Sequence, residues 1–421
     1  MEITYLIVNI VGVLVFLGIA FALSKKKKDI PWISVGILFA LNVVLAWFLL
    51  SVPAGQAGVR AATDAFAALV NSAMEGVTFA FSDSLISTSA FVEDGLTSAV
   101  FFASALLPII VIVPMFDILS YLGVLPWIIR IIGKVFAVIC RVPKFEAFFG
   151  IEMMFLGNTE AIAASRFQVV KISKERCLTI AMMSMSCVSA ALIGSYTTMM
   201  PGQFIIAAIP LNIINALMIT SILNPCKVSK EDDEIGGLYD DGEERESFFS
   251  FLGNSILTSG KLVLIIVANV IAFVGLAAVI NLLLGLFNPL IHMAIDWDLS
   301  LQSILGLVMY IPACLLGNPI GSPETMQLAE AMGTKIVTNE FVVMGQFTPI
   351  IADFSNHFQC VTTVFLTSFA NFSTLGMIIG CFKGIVGDEE NTHIAKNVGF
   401  MLLSGILVSL MSAALAGLFV W

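Results

Sequence analysis

Residues 262–287 read LVLIIVANVIAFVGLAAVINLLLGLF and contain no charged side chain. At about 1.5 Å per residue, one helix of this length would measure about 39 Å. The hydrocarbon core of a bilayer is roughly 30 Å thick, so we expect a tilted helix that crosses a membrane. This stretch predicts that the chain folds in lipid.

The composition of the whole chain of 421 residues agrees with that prediction. Apolar residues make up 58% and charged residues only 12%, against roughly 45–50% and about 25% in soluble globular proteins. These values exclude a soluble enzyme, a disordered chain, a disulfide scaffold and a nucleic-acid binder. The net charge of −10 does not oppose this, because nine acidic residues lie in one polar loop between Glu231 and Glu246. The cysteines and histidines have no metal-ligand spacing, so we expect neither a metal site nor a cofactor.

Four consecutive lysines at residues 25–28 predict the orientation of the chain. They follow the first apolar run, residues 3–24, whereas a cleaved signal peptide carries its positive charge before the apolar stretch. Loops rich in lysine stay in the cytoplasm, so the first helix is predicted to be retained, with its N-terminus outside. We count eight crossings and two interrupted segments, which makes this a multi-pass protein of the cytoplasmic (inner) membrane with both termini outside.

The apolar runs and their interruptions divide the chain into five predicted regions. Two of them form a scaffold, one is an interfacial helix on the cytoplasmic side, and two are repeats that each contain a hairpin and two spans. In chain order they are the N-terminal helices with an outer amphipathic segment (1–125), the interfacial helix (126–144), the first repeat (145–223), the acidic loop with the long helix and an outer interfacial stretch (224–300), and the second repeat (301–421).

Two interrupted segments share a short pattern that predicts hairpins inside the membrane. The first reads Leu-Gly-Asn-Thr-Glu at 156–160, and the second reads Leu-Gly-Asn-Pro at 316–319. Residues 301–341 contain too many prolines and glycines for one spanning helix. The first segment is entered from the cytoplasm and the second from outside, which is typical of inverted repeats with re-entrant hairpins.

Two glutamates near these interruptions are candidate functional groups. Glu160 and Glu340 are ionisable side chains at the expected depth of the membrane, where an unneeded charge is costly. The alternative is a structural carboxylate that caps a helix or pairs with Lys171 or Lys335. For Glu152 and for Asp117 at the end of another span, we favour the structural interpretation, because each is expected near the cytoplasmic interface.

A third polar cluster, residues 368–374, falls inside a predicted span. Polar side chains on one helix often serve only to join helices. Phe369 lies two residues before Asn371, which places a stacking surface beside a hydrogen-bonding group. Residues alone leave two interpretations open, helix packing and a site for a ring-bearing ligand with hydroxyl groups.

Three motifs together resemble the concentrative nucleoside transporter family, in particular its bacterial NupC-type members. They are Gly-Asn-Thr-Glu at 157–160, Lys-Ile-Val-Thr-Asn-Glu-Phe at 335–341 and Phe-Ala-Asn-Phe-Ser-Thr at 369–374. The resemblance implies an all-α fold with eight transmembrane helices, two re-entrant hairpins and interfacial helices. It also implies a homotrimer that imports nucleosides by an elevator movement.

The resemblance also implies which residues meet the nucleobase. The tip of the first hairpin, Asn158, Thr159 and Glu160, would contact the base. Leu192 would line the base pocket, and Phe369 would pack on the base. The family usually has Gln where Asn158 stands, so the contacts from this position are expected to be shorter or bridged by water.

On the ribose side, the resemblance assigns the hydroxyl groups to Glu340 and Asn371, with Thr374 nearby. The family often has Ser where Thr374 stands. The change from Ser to Thr keeps the hydroxyl group, so it is a milder departure from the family than Asn158 in place of Gln.

Energy coupling is predicted from a further departure. Members that use sodium resemble one another in an Asn and a hydroxyl residue at positions where this chain has Met153 and Cys187. Sulfur is a poor ligand for a hard cation. We therefore expect proton symport, with Glu160 or Glu340 as the proton carrier, and keep sodium symport and another polar metabolite as alternatives.

Two other classes of protein are weaker alternatives. A channel would also have re-entrant hairpins, but it would not accumulate a solute. An intramembrane enzyme would need a nucleophile and a base, and the only such pair, Ser355 and His357, has no nucleophile turn.

Overall fold

The computed structural model describes residues 2–81, 102–229, 232–233, 246–289 and 298–421, and these residues form helices and their connections. Residues 82–101, most of the predicted acidic loop (234–245) and most of the predicted outer interfacial stretch (290–297) lie outside the described residues. Nineteen α-helices occur in the described part: α1 (Glu2–Ala22), α2 (Trp32–Ser51), α3 (Pro53–Phe81), α4 (Ile109–Tyr121), α5 (Val124–Cys140), α6 (Lys144–Leu156), α7 (Asn158–Ala164), α8 (Arg166–Val169), α9 (Lys174–Ser184), α10 (Ala190–Thr197), α11 (Gly202–Leu223), α12 (Phe248–Gly285), α13 (Leu301–Leu315), α14 (Pro323–Val337), α15 (Glu340–Phe347), α16 (Asn356–Leu366), α17 (Phe372–Lys383), α18 (Asp388–Lys396) and α19 (Val398–Gly417).

Six of the eight predicted crossings are continuous helices that are long and apolar enough to span a bilayer. They are Ile3–Ala22, Trp32–Ser51, Phe102–Tyr121, Gly202–Leu223, Phe248–Gly285 and Val398–Gly417.

The other two predicted crossings are divided, which the sequence did not predict. Residues 185–189 separate α9 from α10, and residues 367–371 separate α16 from α17. Residues 185–189 are largely apolar and give no sign of a break, whereas the second interruption overlaps the polar cluster 368–374, which was interpreted as part of a continuous span. Their cause is tertiary, because side chains from other helices bind the carbonyl groups that each interruption leaves free.

The same order of elements occurs twice. A span is followed by a connecting helix, a pair of helical arms, a divided span and a continuous span. The first set is α4, α5, α6 with α7 and α8, α9 with α10, and α11, and the second is α12, α13, α14 with α15, α16 with α17, and α19, with the short α18 before α19. Each connecting helix packs on the first arm that follows it, α5 on α6 and α13 on α14.

The second hairpin tip lies elsewhere than the Leu-Gly-Asn pattern predicted. α14 and α15 meet at Thr338 and Asn339, which we call the tip of hairpin 2. The turn at Gly317 instead joins α13 to α14 and lies against His357 and Trp421. The prediction that paired Gly317 with Gly157 was wrong. Both glycines have positive φ, +89° and +94°, and such a residue ends a helix at any depth, so the pattern carries no information about the hairpin.

Polar side chains from the hairpins and from α11 hold the ends of the divided spans. At the end of α9, Asn158 donates to the Ser184 carbonyl at 3.3 Å. At the end of α16, Lys335 donates to the Phe365 carbonyl at 2.9 Å and to the Ser368 hydroxyl. Lys335 is a buried amine that caps this helix C-terminus, and its charge also attracts that of Glu340, the partner that the sequence considered.

Asn212 on α11 binds the same interruption from the other side. Its Nδ2 donates to the Thr367 carbonyl at 2.5 Å. α11 also joins α19 through Asn215, which donates to the Ser412 hydroxyl at 2.8 Å. The two continuous spans therefore fix the position of the second divided span.

A buried ion pair fixes the base of hairpin 1, which comprises α6, α7 and α8. Arg176 on α9 makes two hydrogen bonds to Glu146 on α6, from Nε at 2.8 Å and from Nη2 at 2.7 Å. Both side chains are about 5% exposed. Arg176 also donates to the Asp232 carbonyl at 2.8 Å, which joins the start of the acidic loop to the hairpin.

Removal of one partner of this ion pair leaves the other charge buried. Glu146→Ala is expected to lower the free energy of unfolding by about 3–5 kcal/mol, the usual cost of an uncompensated buried charge. Thermal denaturation of the purified protein in detergent measures this as a clear fall in Tm. Glu389→Ala is the matched control, because Glu389 pairs with Lys174 on the exposed surface and such pairs contribute little. Equal shifts in Tm for both variants would contradict the prediction.

Candidate functional site

The eight candidate residues from the sequence line one cleft. They come from four separate parts of the chain: Asn158, Thr159, Glu160, Leu192, Glu340, Phe369, Asn371 and Thr374. The tips of both hairpins and both divided spans contribute to this cleft. α12 covers its open side through apolar and polar side chains: Leu262, Ile265, Ile266 and Asn269.

Four helices begin at the cleft, so their free backbone N–H groups are near it. The residues that precede these helices are Gly157 before α7, Ser189 before α10, Asn339 before α15 and Asn371 before α17. The first N–H groups of a helix have no partner within the helix. Asn339 satisfies one of them, since its Oδ1 accepts from the Val342 N–H at 3.0 Å. The cleft is therefore bordered by hydrogen-bond donors on several sides.

Glu340 is at the centre of a hydrogen-bonded chain on the hairpin 2 side. It is 3% exposed, and its two oxygens accept from the Tyr196 hydroxyl and from Asn371 Nδ2, each at 3.0 Å. Asn371 Oδ1 in turn accepts from the Thr374 hydroxyl at 3.0 Å. The Tyr196 ring packs on Phe341 with centroids 5.0 Å apart. A carboxylate held in this way is an acceptor-only group, suited to bind neighbouring hydroxyl groups.

The tip of hairpin 1 presents a more open carboxylate. Glu160 is exposed to the cleft, and its Oε2 accepts from the Thr159 hydroxyl at 2.9 Å. Asn158 is buried, and its amide is used on both ends, for the Ser184 carbonyl and for the Thr159 N–H at 2.8 Å. A Cβ at Gly157 would lie 2.9 Å from Glu160 Oε2, so only glycine leaves this carboxylate in place.

Phe369 and Leu192, which belong to the two divided spans, supply apolar surface to the cleft. Phe369 is half-buried and Leu192 is buried, and both line the cleft beside its polar groups. Leu262, Ile265 and Ile266 form the apolar surface of α12 that lines the same cleft. A flat ring therefore has apolar contacts available on both sides of the cleft.

Sequence reasoning missed several residues of the cleft. Ser189, Asn269 and Ser373 line it, and Tyr196 orients Glu340 from just behind. Asn269 had a signal, because it is one of two asparagines in the uncharged run 262–287. Tyr196 had none, since the interruption that orients its helix was not predicted.

The two carboxylates that the sequence placed at the interface lie outside the cleft. Asp117 is half-buried and accepts from the Ser255 hydroxyl at 2.5 Å. Glu152 is 1% exposed and accepts from the Ser165 hydroxyl at 2.6 Å. Glu152 is enclosed within the protein, because α5, α7, α9, α10 and α11 pack on α6.

Two family models match the chain. The model described as Na+ dependent nucleoside transporter C-terminus matches residues 204–417, and the corresponding N-terminus model matches residues 11–84. Purine nucleoside transport protein NupG of Bacillus subtilis is 42% identical, with 99% of this chain and 100% of that protein covered. Nucleoside permease NupC of Helicobacter pylori is 27% identical over 98% and 97% of the two chains. Mouse sodium/nucleoside cotransporter 1 is 25% identical, and the match covers 63% of its length.

Solved structures share the whole fold. CNTnw in an inward-facing substrate-bound state superposes with a TM-score of 0.88 at 24% identity, over 99% of this chain and 98% of that one. A CNTnw variant in an outward-facing state gives a TM-score of 0.89 over 99% of both chains. The all-α, polytopic fold class predicted from the sequence is confirmed. Together with the matches to NupG and to the two family models, this shows that the chain belongs to the concentrative nucleoside transporter family and is a membrane transporter, not an enzyme.

Proposed function

We propose that the protein is a secondary active symporter that imports nucleosides across the cytoplasmic membrane with the proton gradient as its driving force. The observation that carries this proposal is the single cleft in which the tips of both hairpins meet both divided spans. Both termini lie outside in this proposal, because the lysines at residues 25–28 favour the cytoplasm.

The chemistry of the cleft suits the two halves of a nucleoside. On one side Glu340 and Asn371 form a carboxylate and amide pair joined at 3.0 Å, which fits the neighbouring hydroxyl groups of ribose. On the other side Thr159 and Glu160 offer a hydroxyl and a carboxylate to the edge of a base, and Phe369 offers its ring to the face. Asn158 acts through the backbone it positions, since both ends of its amide are bonded within the protein. The name of the NupG relative adds purine nucleosides to the substrates worth testing.

The proton is the proposed coupling ion because Met153 and Cys187 place sulfur atoms where members that use sodium have an Asn and a hydroxyl residue. Met153 is buried, and its Sδ accepts a weak hydrogen bond from the Ser184 hydroxyl at 3.6 Å. Cys187 is 1% exposed. Sodium prefers oxygen ligands, which neither side chain supplies. Glu160 and Glu340 are the ionisable groups of the cleft and the first candidates for proton exchange.

Sodium symport is the second candidate, since the family model and the mouse relative carry sodium in their names. Only a functional measurement separates the two ions for this chain.

An elevator movement and a homotrimer complete the proposal. The cleft lies between the hairpin tips and α12, so a displacement of the hairpins along α12 would carry a bound solute past it. α12 also leaves much apolar surface uncovered within one chain, including Leu264, Ile271 and Leu282. Partner subunits and lipid are the two surroundings that cover such a face.

Uptake into proteoliposomes tests the proposed function directly. We expect labelled uridine and guanosine to accumulate when the outer solution is made acidic, and to be displaced by unlabelled nucleosides. An imposed sodium gradient at constant pH should give no accumulation. Uptake that follows the sodium gradient and ignores the pH gradient would overturn proton coupling. Flux that never exceeds equilibrium would identify a channel.

The ribose contacts are tested by Glu340→Gln and Asn371→Ala. Each change removes a charged hydrogen bond worth about 1.5–3 kcal/mol, so nucleoside affinity should fall by about 10- to 100-fold. Calorimetric titration of the purified protein measures this fall. Asn254→Ala is the matched control, because Asn254 bonds to Glu246 at the start of α12 and does not line the cleft. Unchanged affinity in both site variants would remove the assignment, provided that they keep the oligomeric mass of the wild type.

Tyr196 is expected to position Glu340 without touching the nucleoside. Tyr196→Phe removes one hydroxyl donor, worth about 0.5–1.5 kcal/mol, so affinity should fall by less than about 10-fold. The loss should disappear in the background of Glu340→Gln, because the hydroxyl acts through that carboxylate. A double-mutant cycle of dissociation constants measures this coupling. Additive losses would show that Tyr196 acts independently of Glu340.

A further inference from the structure

We propose that Glu152, inside hairpin 1 and outside the nucleoside cleft, is the site that binds the coupled proton. This inference rests on the proposed proton symport and assigns the proton to Glu152 in place of the first candidates, Glu160 and Glu340. It follows from the burial of the carboxyl group, from its hydrogen-bond partner and from the charges around it.

Glu152 is a carboxyl group with little support for a negative charge. It is 1% exposed, and Ser165 donates to it at 2.6 Å. The ion pairs of the described residues join Lys174 to Glu389, Arg176 to Glu146 and Lys227 to Asp29, and none of them includes Glu152. A buried carboxylate with a neutral donor and no cation is strongly disfavoured, so this conformation holds the protonated acid.

The two glutamates of the cleft have environments that suit other roles. Glu340 is equally buried, but the Tyr196 hydroxyl and the Asn371 amide both donate to it. Such donors favour the ionised form that accepts hydroxyl groups from a ligand. Glu160 is exposed to the cleft, and the Thr159 hydroxyl donates to it at 2.9 Å. Glu152 combines burial with a single side-chain donor, the Ser165 hydroxyl.

The helices around α6 bring no compensating charge to Glu152. α11 has no titratable side chain. Tyr196 on α10 is bonded to Glu340, and Glu160 on α7 is exposed to the cleft. On α5, Arg130 and Lys134 are exposed.

The remaining ionisable groups nearby have partners of their own or stay neutral. Arg176 on α9 is paired with Glu146 of α6 itself, and Lys174 with Glu389. Arg166, which follows Ser165, is exposed and packs on the Phe167 ring at 4.6 Å. The other titratable residues of α5, α6 and α9 are two buried thiols and two side chains near helix starts: Cys140, Cys177, Lys144 and Glu175.

The position of Glu152 connects a proton to the nucleoside cleft. Glu152 lies on the first arm of hairpin 1, and Ser165 lies between α7 and α8 in the second arm, so their hydrogen bond joins the two arms. The next residue, Met153, contacts the Ser184 hydroxyl, and the Ser184 carbonyl accepts from the tip residue Asn158. A change of charge at Glu152 therefore acts on the same hairpin that binds the nucleoside.

The proposed step is a simple proton transfer. Glu152 accepts one proton from the outer solution, –COO⁻ + H⁺ → –COOH, and hairpin 1 then carries this proton across together with the nucleoside. On the cytoplasmic side the acid returns the proton to water. The empty carrier returns after nucleoside and proton have both left.

Glu152→Gln separates coupling from structure, because glutamine keeps the shape and a partner for Ser165 but cannot lose a proton. In proteoliposomes we expect accumulation driven by a pH gradient to fall at least 10-fold. Nucleoside counterflow at equal pH should stay within about 3-fold of the wild type. The matched control is Asp117→Asn, since Asp117 also accepts from one serine but lies on α4, outside hairpin 1. This control should keep accumulation driven by the pH gradient.

The possible outcomes are distinct. If Glu152→Gln still accumulates nucleoside with a pH gradient, Glu152 is structural and the inference is wrong. If the wild type ignores the pH gradient, the proposed function fails instead. Should Glu152→Gln not fold, Ser165→Ala serves, because loss of the donor keeps the acid protonated to higher pH. Half-maximal uptake should then move to higher pH, and an unchanged pH profile would overturn the inference.

Discussion

The backbone of this protein must satisfy its own hydrogen bonds in lipid, and the rest of the structure depends on that constraint. A continuous helix does so by itself. The divided spans do not, so each interruption is buried among side chains that bind its free carbonyl groups. Asn158 binds the end of α9, while Lys335 and Asn212 bind the end of α16 and the residues after it. A span can be interrupted without a large loss of stability only where such side chains are present, so both interruptions lie in the buried interior of the protein.

The same constraint explains why the cleft has the composition it has. Carbonyl groups at the helix ends are satisfied by protein side chains, whereas helix starts at Gly157, Ser189, Asn339 and Asn371 border the cleft. The cleft therefore offers backbone donors beside carboxylate acceptors, Glu160 and Glu340. A solute with several hydroxyl groups and a polar ring edge can exchange its water for both kinds of group. An apolar solute would leave them unsatisfied, at a cost of about 1–3 kcal/mol for each buried group.

Sequence reasoning reached the fold class and assembled the candidate site for a physical reason. Hydropathy reports the length of apolar helices, so six spans followed from it, and the carboxylates at membrane depth marked both hairpin tips. Hydropathy does not report where tertiary partners permit a break. The interruptions at 185–189 and 367–371 were missed for this reason, and so was the orientation of Tyr196. The Gly317 turn misled because a local helix stop looks the same at the surface and inside a hairpin.

The buried carboxylates show that burial alone does not define a role. Glu146 is balanced by a guanidinium group with two hydrogen bonds, so its charge is permanent and its function is to hold hairpin 1 on α9. Glu340 is balanced by an amide and a hydroxyl group, which leave room for further donors from a ligand. Glu152 has a serine hydroxyl as its donor, and a proton balances its charge at the lowest cost. The three residues differ little in exposure, between 1% and 4%, so the hydrogen-bond partners of each carboxylate distinguish them, and its burial does not.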